Sequence, residues 1–157
     1  MKKLLFIVNP KAGKTKSNAP LFDAVAAFSR AGYLVRVFLT EAGGEARTYA
    51  AKWGPQYDVV VCAGGDGTLN EVASGAAGFP NLAITAYSGG SGNDFVRLFS
   101  EPAAFSDLER LLDAKEVTFD MIRCNDDYAL NICSVGLDAR IGTDVARYKR
   151  LPLLQGF

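Results

Sequence analysis

The sequence contains no histidine, and that absence removes Ser-His-Asp and Cys-His nucleophile pairs, histidine general bases and nearly all zinc sites together. Cysteine is scarce. Cys62, Cys124 and Cys133 form no CxxC pair, and two of them sit in apolar runs where a thiol behaves as a small hydrophobe. This predicts a reducing, cytoplasmic setting and no metal centre built on thiols. Neither sign of charge is in excess: 17 basic side chains balance 17 acidic ones. The positive footprint of a nucleic-acid binder is missing, so no nucleic-acid partner is expected. Long apolar runs are missing too. Leu4 to Val8 follows Lys2-Lys3 but stops at Asn9-Pro10, too short for the hydrophobic segment of a signal peptide, and no stretch reaches transmembrane length. Chemistry here must run on carboxylates, hydroxyls, amines and backbone dipoles.

What is present describes an ordinary globular domain: 157 residues, 49% apolar and 22% charged, enough to bury roughly 70% of the unfolded surface. Four short apolar runs, Leu4 to Val8, Leu34 to Leu39, Val59 to Cys62 and Leu82 to Ala86, have strand length. The first and third are continuous rather than alternating, which is how strands covered on both faces read. Helical spacings lie between them: Leu21, Phe22, Val25, Phe28; Ala46, Tyr49, Ala50, Trp53; and Leu69, Val72, Ala73, Ala76. The predicted order is β-α-β-α-β-α-β, an α/β fold with a parallel sheet between helical layers. A fourth helical pattern (Phe105, Leu108, Leu111, Leu112) precedes two strand-like stretches, Val117 to Arg123 and Tyr128 to Val135. Asn125-Asp126-Asp127 between them predicts a hairpin. The last residues, Leu151 to Phe157, are apolar and carry no closing polar element, which predicts a fragment of a longer protein and self-association through this tail.

Open parallel sheets bind ligands at the carboxyl ends of their strands. Three glycine-bearing loops fall there: Asn9 to Lys14, Gly64 to Gly67, and Ser88 to Asp94. Together they point to a polyphosphate site. The central run, Gly64-Gly65-Asp66-Gly67-Thr68-Leu69-Asn70-Glu71, has glycines that allow positive φ and close approach of the backbone to an anion. Asp66 then stands beside phosphate, where a carboxylate works through Mg²⁺ or its waters, or by ordering a neighbouring donor. A structural reading stands beside this one: Thr68 and Glu71 have capping-box spacing, and Gly-Asp-Gly is common turn chemistry. Gly13-Lys14-Thr15 resembles the tail of a Walker A loop, but its earlier glycine would fall at Val8, inside a strand. A different phosphate loop remains, with Asn9, Gly13 and Lys14 as donors, as does a strand-ending turn at Asn9-Pro10 with solvated lysines. In the third loop, Asn93 or Asp94 could cap a short helix from Phe95 to Phe99.

NPKAG at 9–13, GGDGTLNEV at 64–72 and GGSGNDFVR at 89–97, in that order and spacing, resemble the diacylglycerol kinase catalytic family, above all its bacterial lipid kinases. The resemblance runs on through Asp120 and NICSVGLDA at 131–139. NAD kinases and phosphofructokinases share part of the central motif; the Gly-Asn-Asp-Phe loop favours the lipid-kinase branch. The resemblance implies a three-layer, Rossmann-like nucleotide-binding domain over residues 1–125, with a β-rich second domain beginning at 126–157. It implies ATP and Mg²⁺ as cofactors, with ATP contacts at Asn9, Pro10, Lys11, Ala12, Gly13, Thr40, Gly65, Asp66, Gly67, Thr68, Leu69, Asn70, Glu71 and Ser91. Thr40 opens a T-x-x-x-G-D-A loop in which Glu45 replaces the family's aspartate. Asp66 is given a supporting role in catalysis. The catalytic carboxylate and metal-binding positions are expected in the second domain, as is transient contact with a membrane surface carrying the lipid substrate. This chain by itself is then expected to be inactive. An NAD kinase-like enzyme and a non-catalytic nucleotide-binding module remain the alternatives.

Overall fold

A computed structural model describes residues 1–12, 19–87, 94–137, 139, 140 and 144. Gly13, Lys14, Ser91, Asn93 and the apolar segment 151–157 lie outside the described residues. The expected alternation is present: β1 (Lys3–Val8), α1 (Ala19–Arg30), β2 (Leu34–Leu39), α2 (Glu45–Trp53), β3 (Val59–Ala63), α3 (Asp66–Ala76) and β4 (Ala83–Ala86). All four strands are parallel, in the order β2-β1-β3-β4.

The continuous apolar runs do what continuity predicts. Leu4, Leu5, Phe6 and Ile7 on the inner strand β1 have no exposed surface, because helices cover both faces of the sheet. On one face Leu5, Ile7, Val60 and Cys62 meet Ala46, Ala50, Leu69 and Val72 of α2 and α3. On the other, Leu4, Phe6 and Val61 meet Ala24 and Phe28 of α1, with Leu108, Leu111 and Leu112 at the margin. The α2–α3 seam is built for close approach: a β-carbon on Gly75 would lie 2.3 Å from the Arg47 carbonyl oxygen. This packing places the ends of β1, β2 and β3, and the starts of α2 and α3, on one edge of the sheet.

Beyond β4 the expectations need correction. The Phe105 to Leu112 pattern divides into a 3-10 segment, Pro102–Ser106, and a five-residue helix, α4 (Leu108–Leu112), capped by the Asp107 carboxylate on the amides of Glu109 and Arg110. The Phe95 to Phe99 helix is a single 3-10 turn, Val96–Leu98, without a side-chain cap. Asp94 turns its carboxylate to Arg97 instead. The hairpin exists, but its strands are only β5 (Ile122–Cys124) and β6 (Asp127–Ala129), antiparallel. Asn125 takes φ 55° to make the turn, and Asp127 belongs to the strand rather than to the turn. No described layer covers the outer face of β5, and a two-stranded ribbon with a wet face holds little length. No described helix is long and apolar enough to cross a membrane.

Candidate functional site

A cleft of about 180 Å³ opens at the carboxyl edge of the sheet, lined by Asn9, Lys11, Thr40, Glu41, Ala42, Gly43, Ala46, Thr68 and Glu71. Loops that lie far apart in sequence meet here. Asn9 directly follows β1, and its amide is fixed by the Ala63 carbonyl at the end of β3 (2.8 Å). Its side chain divides its work: Oδ1 accepts the Lys11 amide, and Nδ2 donates to Thr68 Oγ1 at 3.1 Å. Because the Thr68 hydroxyl is an acceptor in that bond, its own proton is left to point at an acceptor such as a phosphate oxygen.

The capping-box reading of Thr68 and Glu71 does not survive. Helix α3 starts at Asp66, with Gly65 as its N-cap and no side-chain cap bond, so Thr68 is the third helical residue and is buried. Glu71, one turn on, crosses to the neighbouring loop and accepts the Gly44 amide on Oε1 at 3.0 Å. Gly44 is the position that needs glycine for its backbone, at φ 85°. The glycines of the central motif do not use positive φ: Gly65 has φ −86°, and among the described glycines only Gly32, Gly44 and Gly136 are left-handed. Their value is steric. A β-carbon on Gly64 would strike Thr68 Cβ at 2.6 Å, whereas one on Gly67 would meet no atom within 4 Å. Gly67 therefore leaves open space over the N-terminus of an eleven-residue helix.

The β2–α2 loop is tied from three sides. Glu45 Oε2 accepts the amides of Glu41 (2.7 Å) and Ala42 (3.3 Å), so this side chain closes the loop. Lys11 Nζ reaches the Glu41 carbonyl at 2.7 Å, and Glu71 holds Gly44. Thr40 is buried beneath, its hydroxyl 3.4 Å from the Val8 carbonyl. This is the loop that the T-x-x-x-G-D-A resemblance marks at Thr40; the left-handed Gly44 within it is what the motif does not reveal.

Other positions fall elsewhere. Asp66 lies at the far side of α3, where Oδ1 accepts the amides of Asp94 (2.7 Å) and Phe95 (3.3 Å). Leu69 is 1% exposed and packs into the core, so only its backbone could serve a ligand. Asn70 turns away from the cleft: Nδ2 donates to the Tyr128 carbonyl at 3.1 Å, and Oδ1 accepts the Leu130 amide at 3.0 Å. Ser74 adds a bond to Tyr128, and Arg47 holds Asp127 and the Asp126 carbonyl. These contacts fix the hairpin on α2 and α3. Pro10 is exposed in the turn after β1, with Ala12 donating back to the Asn9 carbonyl. Among the described residues no three His, Cys, Asp or Glu side chains gather as a metal site. Cys62, beneath the cleft, is inert: burial, helped by the Glu71 charge, pushes its thiol up to about 12.

Comparison with known proteins gives this edge a context. The profile of the diacylglycerol kinase catalytic domain matches residues 3–124. Diacylglycerol kinase of Staphylococcus saprophyticus is 34% identical over 138 residues, 86% of this chain and 45% of that protein. Diacylglycerol kinase of Staphylococcus aureus is 33% identical, over 86% of the chain and 44% of its own length. A crystal structure of a diacylglycerol kinase from Bacillus anthracis superposes with a TM-score of 0.70 at 26% identity, covering 81% of this chain and 47% of that one. The chain thus spans less than half the length of these relatives. With the profile covering all four parallel strands and each of the loops that meet at the cleft, the chain belongs to the diacylglycerol kinase catalytic domain family.

Proposed function

We propose that this chain is the nucleotide-binding part of an ATP-dependent lipid kinase, which moves the γ-phosphoryl group of ATP to a hydroxyl of diacylglycerol or a related lipid. The carrying observation is the convergence of Asn9, Lys11, Thr40, Thr68 and Glu71 on one cleft beside the N-terminus of α3. The two ends of the cleft suit different parts of a nucleotide. Near Thr68 and Gly67, a hydroxyl proton, the open backbone and the helix dipole favour a phosphate. Near Glu41, Gly43 and Glu71, carboxylates would repel phosphate but suit hydroxyl or amine donors of a sugar or base.

Phosphoryl transfer runs on positioning and neutralisation of charge, and Mg²⁺ held through its waters beside Asp66 would supply part of that neutralisation. Asp66 is the described motif carboxylate nearest in sequence to the phosphate end. One of its oxygens is held on the Asp94 and Phe95 amides, which leaves the other without a protein partner among the described residues and available to a hydrated cation. Gly13 and Ser91 belong to the same proposal through their motifs. The lipid acceptor and its membrane surface belong to the remainder of the longer relatives, and the expected setting is the cytoplasm.

The test is titration of the chain with ATP and Mg²⁺, compared with Thr68→Val, and assay of the longer protein on diacylglycerol and on NAD in parallel. Saturable ATP binding, weakened about tenfold in Thr68→Val by loss of a hydrogen bond to a charged group, supports the site. Phosphorylation of NAD instead of lipid moves the assignment to the NAD kinase branch. Binding without turnover of either identifies a regulatory module.

A further inference from the structure

Two of the three thiols meet at the hairpin. Cys124 ends β5 and Cys133 follows β6, and together with Asp126, Tyr128 and Ile132 they line a hollow of about 470 Å³. Both are exposed, whereas Cys62 is buried. The Cys133 thiol hydrogen-bonds to Cys124, and that bond, with the Cys124 charge second, holds its proton on above the ordinary thiol range. No CxxC spacing announces this pair, because it is the antiparallel turn that brings the two sulfurs together. The segment between them is the part of the hairpin that α2 and α3 grip. Asn70 Nδ2 and Ser74 Oγ donate to the Tyr128 carbonyl, Asn70 Oδ1 accepts the Leu130 amide, and Arg47 holds Asp127.

We propose that Cys124 and Cys133 are a redox-active dithiol, which a low-molecular-weight disulfide oxidises to an intrachain disulfide that closes residues 124–133 into a ring on α2 and α3. The thiolate is the nucleophile in such exchange, and Cys133 keeps its proton on the bond to Cys124, so Cys124 attacks first. Its thiolate sulfur bonds to one sulfur of the incoming disulfide; the S–S bond of that reagent breaks, and the thiolate released takes up a proton. Cys133 then gives its proton to water and attacks the Cys124 sulfur of the mixed disulfide. The Cys124–Cys133 bond forms, and the second thiolate leaves and is protonated. Two protein thiols are thus oxidised, and one disulfide is reduced to two thiols. The new bond, about 2.05 Å, is shorter than a thiol–thiol hydrogen bond. Both side chains are exposed, so rotation about their Cα–Cβ bonds closes the difference. An exposed pair of this kind acts in a reducing compartment as a reversible switch rather than as a permanent staple. Its effect is mechanical: the ring encloses the Tyr128 carbonyl and the Leu130 amide, so oxidation fastens to α3 a hairpin that is otherwise held by hydrogen bonds and one ion pair.

The test equilibrates the 157-residue chain in buffers of graded reduced-to-oxidised glutathione ratio, then quenches it with acid and maps its peptides by mass. The expected product is a Cys124–Cys133 link that appears and disappears within the series, with Cys62 remaining a thiol. Cys124→Ser and Cys133→Ser should instead each carry a lasting glutathione adduct on the remaining exposed thiol, because nothing resolves it. Hydrogen exchange at the Leu130 amide should slow at least about tenfold in the oxidised chain, since a closed ring restricts the opened hairpin. A chain that ends as two separate adducts, or that links only to other copies, overturns the proposal. So does a link that is absent, or intact, at every ratio, since the pair is then not a switch. Unchanged exchange at Leu130 overturns the clamp. Serine at either exposed position leaves the core untouched, so failure to fold does not shelter the idea.

Discussion

The backbone amide of Asp94 donates to the Asp66 carboxylate at 2.7 Å, across 28 residues of sequence. The motif aspartate is thus a brace as well as a charge: it sets where the segment after β4 returns to α3. The two roles separate by substitution. Asp66→Asn retains an oxygen that can accept the Asp94 and Phe95 amides but loses the negative charge; Asp66→Ala loses both. Amide exchange at Asp94 and Phe95 should accelerate in Asp66→Ala and stay close to wild type in Asp66→Asn. Mg²⁺-dependent activity of the longer protein should be lost in both. Activity retained by Asp66→Asn would leave Asp66 as a brace alone.

Gly64 and Gly67 should respond oppositely to alanine. At Gly64 the new β-carbon overlaps the Thr68 side chain, so Thr68 must move off Asn9, and both stability and nucleotide affinity fall. At Gly67 the β-carbon enters open space inside α3. Alanine there raises the stability of the ligand-free chain by about 1 kcal/mol through helix propensity. It also occupies the space over the helix N-terminus, and ATP affinity should fall more than about threefold, some 0.65 kcal/mol. Thermal melts and nucleotide titration of one variant thus give answers of opposite sign. A Gly67→Ala chain that binds ATP normally would free that space of any ligand role.

Much of the fold was legible because a buried parallel sheet leaves few alternatives. Leu4 to Ile7 has no polar position to turn toward water, and the structure covers both of its sides. The hairpin was over-read because strand-forming residues after Val117 carry no information about whether a second layer covers them. The cleft was half legible. Motif glycines lie at the edge of the sheet where the cleft opens, but of the two reasons offered for them, close approach and positive φ, the second belongs to Gly44 in a different loop. Thr68 and Glu71 have the spacing of a capping box, yet the helix begins two residues before Thr68, and their partners, Asn9 and Gly44, lie 59 and 27 residues away. Spacing within one loop could not reveal those bonds. Asn70 was grouped with its motif neighbours, although helical phase turns it toward Tyr128 and Leu130.

The three thiols should report on this packing. Cys124 and Cys133 are exposed and should react with a thiol reagent in the native chain, whereas buried Cys62 should react only on unfolding. Cys62 is raised from an ordinary 9.0 to about 12 by burial first and the Glu71 charge second. The folded state therefore keeps this proton above pH 9 while the unfolded state releases it. Stability is full below about pH 9 and falls as pH rises toward 12, by roughly 1.4 kcal/mol per pH unit for this one group. Denaturant melts between those limits should show a slope shallower by that amount in Cys62→Ala. Equal slopes would mean that Cys62 does not ionise differently in the two states.

The last prediction concerns what the 157-residue chain does alone: it should bind ATP with Mg²⁺ but transfer no phosphate to lipid. Binding requires the cleft, and the residues that line it come from the turn after β1, the β2–α2 loop, the start of α2 and α3, all within the first 76 residues. Transfer requires more. The acceptor hydroxyl must be held in line with the γ-phosphoryl group and its proton removed, and positioning of this kind can carry about 7–11 kcal/mol of a barrier. No histidine is present to act as base, and the described carboxylates nearest the motifs are engaged: Asp66 on two amides, Asp94 on Arg97, and Glu71 on Gly44. The hairpin that α2 and α3 hold through Arg47, Asn70 and Ser74 lies close to where the family profile ends, at residue 124. It is placed to carry the residues after it into contact with α3. Nucleotide titration and a radiolabelled lipid assay, run on this chain beside a protein of the relatives' full length, give the comparison. Retained ATP affinity with lipid turnover at least a thousandfold below the longer protein is the expected pair of results, a loss of about 4 kcal/mol in transition-state stabilisation. Comparable turnover in the two would locate the whole catalytic apparatus within Met1 to Phe157.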